Sequence, residues 1–159
     1  MQDPKVIELI FDRLKNAPAM AGIAVWQKAT GLVTAQTPGC SVGTDKDNFA
    51  VYTRDWDKVE AQARITFWAI SADPVAGEAE VRQLARDCRF VLASDRTFGG
   101  AVDDSFVKSV EFVRVEGVES FTLMAQVDFR VTYYSPRVTA DAVNPVEQLA
   151  HDLAWSDKN

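Results

Sequence analysis

At 159 residues, with 47% hydrophobic and 25% charged side chains, the chain has the size and balance of one ordinary globular domain rather than a disordered or fibrous one. A formal net charge of −6 argues against binding to nucleic acid or an anionic membrane without a local basic patch. No such patch is visible, because Arg82, Arg86 and Arg89 are interleaved with Glu78, Glu80 and Asp87.

The start, Met1-Gln2-Asp3-Pro4, lacks the positive charge and apolar stretch of a signal peptide, and no run approaches the roughly 18 apolar residues of a membrane helix. Asp3 suits an N-cap and Pro4 a first helical position, and Val6, Ile7, Ile10, Phe11 and Leu14 then recur at helical spacing. Ala17-Pro18 ends that helix. Gly22 to Trp26, a turn at Lys28 to Gly31, and Leu32-Val33-Thr34 read as a short hairpin. The stretch 35–48 is rich in turn formers and charge and has neither period, so a long flexible loop is expected there.

Val59 to Ile70 alternates as a long strand, with Val59, Ala61, Ala63, Ile65, Phe67 and Ala69 on one face. Trp68 and Ile70 interrupt the polar face, so that end is expected to be covered. Asp73-Pro74 opens a second helix, and Val81, Leu84, Ala85, Cys88, Val91 and Leu92 form its apolar stripe to about Ala93. Two further strands follow. The first, near 106–115, sets Phe106, Val110 and Phe112 against Val107, Val113 and Val115; the second alternates from Phe121 to Tyr133. Asn144-Pro145 with Val146, Leu149, Ala150 and Leu153 predicts a C-terminal helix. The expected fold is α+β: one domain over 1–159, with a mostly antiparallel sheet and two helices on one face. Residues 135–159 would form an extension carrying the third helix.

A search for chemistry yields no catalytic, cofactor or metal residue. His151, the only histidine, lies on the polar side of the last helix beside Asp152, with no nucleophile near it in sequence. Cys88 sits on a buried stripe, where a thiol acts as a small inert hydrophobe, and Cys40 lies in the expected loop; two reduced thiols are the default, with a bridge left open. Asp45 and Asp47, like Asp103 and Asp104, lack calcium-loop spacing and read as solvated charge. Trp26, Trp56, Trp68 and Tyr52 could line a ligand site or pack in core and interface. Trp56, bracketed by Asp55 and Asp57, either tucks back or meets a partner chain.

One local feature is more specific. The second helix runs through Val91 to Ser94 into Asp95-Arg96-Thr97-Phe98-Gly99-Gly100-Ala101-Val102, followed by a strand pair ending in Tyr133-Tyr134. Glycine at these positions permits positive φ and a tight helix-to-strand turn, which accounts for them structurally. The same succession resembles the tail terminator, or tail-completion, proteins of long-tailed bacteriophages, over about residues 3–134.

That resemblance implies a non-enzymatic virion protein in the neck of the tail, made in the host cytoplasm. It would form a homo-oligomeric, commonly hexameric, ring that caps the tail tube protein, stops its polymerisation and meets a head-side connector. DNA would pass through its lumen without specific binding. Contacts to subunits or partners are then expected at Trp56, Asp95, Thr97, Phe98, Gly99, Gly100, Asp45 and Asp47. A head–tail connector or other neck ring is the nearest alternative. A small-ligand-binding regulatory module and a thiol hydrolase are the alternatives of other classes.

Overall fold

The computed structural model describes residues 3–29 and 34–138. In chain order these form α1 (Val6–Lys15), a 3-10 turn (Pro18–Met20), β1 (Val25–Gln27), β2 (Gly39–Val51) and β3 (Trp56–Ser71). Then follow α2 (Pro74–Ala93), β4 (Asp104–Glu116) and β5 (Phe121–Pro136). The five strands make one sheet in the order β1-β2-β3-β5-β4, antiparallel except where β1 joins β2 in parallel. This is the α+β fold that the sequence predicts.

Period-two alternation decides which face is buried. Val59, Ala61, Ala63, Ile65, Phe67 and Ala69 of β3 are all at most 1% exposed, and Leu123, Ala125, Val127, Phe129, Val131 and Tyr133 of β5 lie beside them. Val6, Ile10, Phe11 and Leu14 of α1 and Val81, Ala85, Cys88 and Leu92 of α2 complete that core. Asp73 caps α2 as its sequence suggests, its carboxylate accepting from the Val75 N–H at 2.9 Å with Pro74 in the first turn.

Three local expectations are corrected first. Helix α1 begins two residues late for an Asp3 cap: Lys5 is its N-cap and makes no side-chain capping bond. The early hairpin does not form from β1, which instead pairs in parallel with Gly39, Cys40 and Ser41; residues 30–33 lie outside the described residues. The stretch 39–51, of which 39–48 falls in the expected flexible loop, is β2, paired along its length with β3. Backbone pairing with a strong neighbour overrides weak local propensity here, and a bulge between Thr44 and Lys46 takes up the extra residue.

In β4 a second irregularity, between Val107 and Ser109, reverses the faces. Val107 thus joins Val110 and Phe112 opposite the inward-facing residues of β5, while Phe106 aligns with outward-facing Arg130. Strict alternation had paired Phe106 with the inner set. The expected helix at 144–155 and His151 lie outside the described residues, and β5 itself runs two residues past Tyr134 into the expected extension.

Both cysteines are free and buried, Cys40 on β2 and not in a loop. Burial pushes both thiols up from their ordinary value, and Cys88 raises Cys40 further by charge repulsion. Neither should react with a thiol reagent until the chain unfolds, whereupon both should; fast labelling of the native protein would contradict this placement. The unfolded chain releases these protons above about pH 9, and the folded one holds them. Stability should therefore be fully present below that pH and fall as pH rises above it.

Candidate assembly surface

Five of the eight expected contact residues form a single turn after α2. Asp95 organises it: its carboxylate accepts from the Gly99 N–H at 2.7 Å, the Thr97 N–H at 3.1 Å and the Thr97 hydroxyl at 3.1 Å. The Arg13 guanidinium of α1 reaches the same carboxylate at 3.2 Å. Phe98, Gly99 and Gly100 then take φ of 50°, 68° and 90°, three successive residues in the left-handed region. Glycine makes this inexpensive at two of them. Phe98 tolerates it because its ring is held: it is 7% exposed, lies edge-on to Phe129 and sits under Arg13 at 4.8 Å. The turn ties α1, α2 and the sheet together, while Thr97, Gly99 and Gly100 stay exposed on its outside.

The N–H donors of Gly99, and then of Thr97, hold the Asp95 carboxyl below its ordinary 3.8. A depressed acid lends stability above its unfolded value and loses it as pH falls through the folded one. The turn should accordingly loosen below about pH 3.8. Asp95→Ala should abolish that acid dependence and speed amide exchange at Thr97 and Gly99 already at neutral pH. Exchange unchanged from the parent would show that the carboxylate does not hold the turn.

The other three residues sit elsewhere. Trp56 is half-buried at the start of β3, where its carbonyl accepts from Tyr52 N–H and Thr53 N–H and closes the β2–β3 hairpin. Asp45 stands at the bulge of β2 and pairs with Arg64 at 3.0 Å. Asp47 is exposed and close enough to Tyr133 to help burial raise that phenol.

Sequence reasoning missed the surface around Trp56. Phe49, Val51 and Tyr52 are 66%, 77% and 59% exposed at the free end of the hairpin, and Tyr52 packs on Tyr134 at 4.5 Å. Arg137 buttresses that end, bonding Asp57 at 3.1 Å and the Thr53 carbonyl at 2.8 Å. The signal was present as Phe49 and Val51 at a spacing of two, directly after the stretch 35–48 assigned to a loop.

The outer sheet face is polar. Arg130, 8% exposed, is gripped by Asp128 at 2.8 Å and Glu60 at 3.0 Å. The four aromatic residues considered for a ligand site do not converge: Trp26 packs on Phe11, Trp68 is buried on the outer face, and Tyr52 and Trp56 lie at the hairpin end. Among the described residues no group of three or more His, Cys, Asp or Glu side chains could hold a metal ion, and no helix is long and apolar enough to cross a membrane.

The geometry thus defines a single-sheet α+β protein with a helix-covered face, a polar face, and apolar side chains exposed at one end of a long hairpin. A solved structure shares this fold: a chain of the "Virion of native gene transfer agent (GTA) particle" superposes with a TM-score of 0.50 at 13% identity, covering 79% of this chain and 92% of that one. No protein-family model matches the sequence, and no curated protein matches it.

Proposed function

We propose that the chain is a non-catalytic structural subunit of a phage-like virion, and within it a tail terminator. It would close into a ring on the end of the tail tube, halt tube growth and meet the head-side connector. The observation that carries this reading is the Asp95–Gly100 turn, set between a long amphipathic helix and the last strand pair as in the terminator resemblance. It occurs on a fold shared with a chain of a gene transfer agent virion.

Two features support it. Among the described residues neither the edge of β2 that faces away from β3 over Lys46–Val51 nor the outer side of β4 has a strand beside it. One edge of a copy can therefore meet the other edge of the next, and such a head-to-tail contact closes into a ring when the rotation permits. The exposed Phe49, Val51 and Tyr52 lie along the first of these edges. The net charge of −6 also suits a lumen through which DNA passes without sticking.

Light scattering and negative-stain imaging of the purified protein, alone and with isolated tail tubes, test the reading. Rings, or density capping tube ends, are expected. A protein that stays monomeric and leaves tube ends bare would sink it. A ring that binds the head-side connector and ignores tubes would move the subunit to the other side of the neck.

A further inference from the structure

The groove between α2 and β4 carries an inference that goes beyond the ring. Two neighbouring hollows, of about 480 and 250 Å3, run along it and share Arg86 and Arg89. The larger falls within the roughly 300–1,000 Å3 of sites that enclose an organic group. Leu92, Val107 and Phe129 supply apolar wall to it, and Phe90 stands on its rim 81% exposed. A bulky phenylalanine on the solvent side of an otherwise polar helix face is costly to leave wet.

Charge separates here in a way the linear sequence conceals. Arg82 is tied to Glu78 at 2.9 Å and stacks over Phe112 at 4.0 Å, and Arg96 is tied to Asp104 at 2.7 Å. Arg86 and Arg89, three apart and so on one helix face, have no ion pair among the described residues. Among the described residues no acidic side chain lines either hollow. Asp87, the nearest acid on α2, turns to accept from Gln83 at 2.9 Å. An apolar trough flanked by two guanidinium groups with no ion pair among the described residues, on a protein of net charge −6, has a specific complement.

We propose that this groove docks an acidic segment of a partner protein, one that sets a large apolar side chain against Phe90 and Val107 and its carboxylates against Arg86 and Arg89. Guanidinium groups favour such a partner because they bind carboxylates in forks and lose hydration readily. Nucleic acid is the poorer complement. Two cations track too little backbone to offset the repulsion from the whole chain.

The test uses the full-length protein and a fluorescein-labelled synthetic dodecapeptide of alternating glutamate pairs and single phenylalanines, followed by anisotropy. Saturable binding that weakens with added salt is expected, with at least a tenfold loss in the double variant Arg86→Glu/Arg89→Glu and a clear loss in Phe90→Ser. All three side chains are exposed, so circular dichroism should show both variants folded. Equal affinity for parent and double variant, or for a peptide with lysine in place of glutamate, would overturn the proposal. So would tighter binding of an oligothymidylate than of the acidic peptide. A self-association abolished by the double variant, without peptide binding, would assign the groove to a second copy instead. Peptide binding is read whether or not rings form, so this proposal and the ring reading fail separately.

Discussion

Gly39→Ala is expected to destabilise the protein by about 3 kcal/mol or more, which for a domain of this size lowers Tm by roughly 6–12 °C. Gly39 opens β2 directly opposite Trp68 of β3, and a methyl group there would fall within the Trp68 indole ring. The ring cannot move aside. It is wholly buried, and its Nε1–H donates to the Gln36 carbonyl at 2.9 Å. Either the indole leaves, breaking that bond, or β2 shifts away and loses its parallel contact with β1. Trp68→Leu is destabilising alone but should partly rescue Gly39→Ala, because it opens the space the methyl group needs. Thermal melts of the four proteins decide it, and an unchanged Tm for Gly39→Ala would refute the close packing.

Phe129→Ala should cost about 3–5 kcal/mol, the range for emptying a buried aromatic site. Phe129 is 1% exposed and sits where three parts of the molecule meet. It belongs to the inner face of β5, its ring takes the edge of Phe98 with centroids 6.3 Å apart, and it lines the larger hollow between α2 and β4. Removing it should withdraw the support that keeps Phe98 at positive φ, so the Asp95–Gly100 turn should exchange amides faster even before global unfolding. Phe129→Leu keeps most of the volume and should cost less than about 1.5 kcal/mol. Urea midpoints give the energies; equal midpoints for the alanine and leucine variants would show that the site collapses without cost.

What could be read from the chain followed the strength of its periodicity. β3, α2 and β5 each carry one apolar face over at least a dozen residues, and their burial follows it residue by residue. β2 was illegible because its outer half is largely exposed on both faces and Asp45-Lys46-Asp47-Asn48 within it are poor strand formers. It is a strand because β3 is there to pair with it, a fact of tertiary structure.

The face of Phe106 was misread for a different reason. A bulge changes the phase of a strand without leaving a mark in composition. The candidate site divides the same way. The Asp95–Gly100 turn was visible because its glycines and its acid are turn chemistry. The groove of Arg86 and Arg89 was not, since on paper their neighbours Glu80 and Asp87 neutralise them and only the helix's geometry turns those acids elsewhere.

The order of strands also sets how the chain must find its structure. β2 and β3 are neighbours in sequence, as are β4 and β5, so each pair can zip from its own tight turn. The centre of the sheet is the seam between β3 and β5, where Ser71 meets Phe121 and Trp56 meets Pro136, and all of α2 and β4 lies in the loop that this seam closes. Neither hairpin buries its apolar face until the seam forms and α2 settles over it. Loop closure must therefore be paid before most of the burial is gained, which makes the seam the slow step of folding. Until it closes, each new chain displays two unfinished ribbons side by side, and the concentration at which copies are made decides whether a ribbon first meets its own mate or a neighbour's.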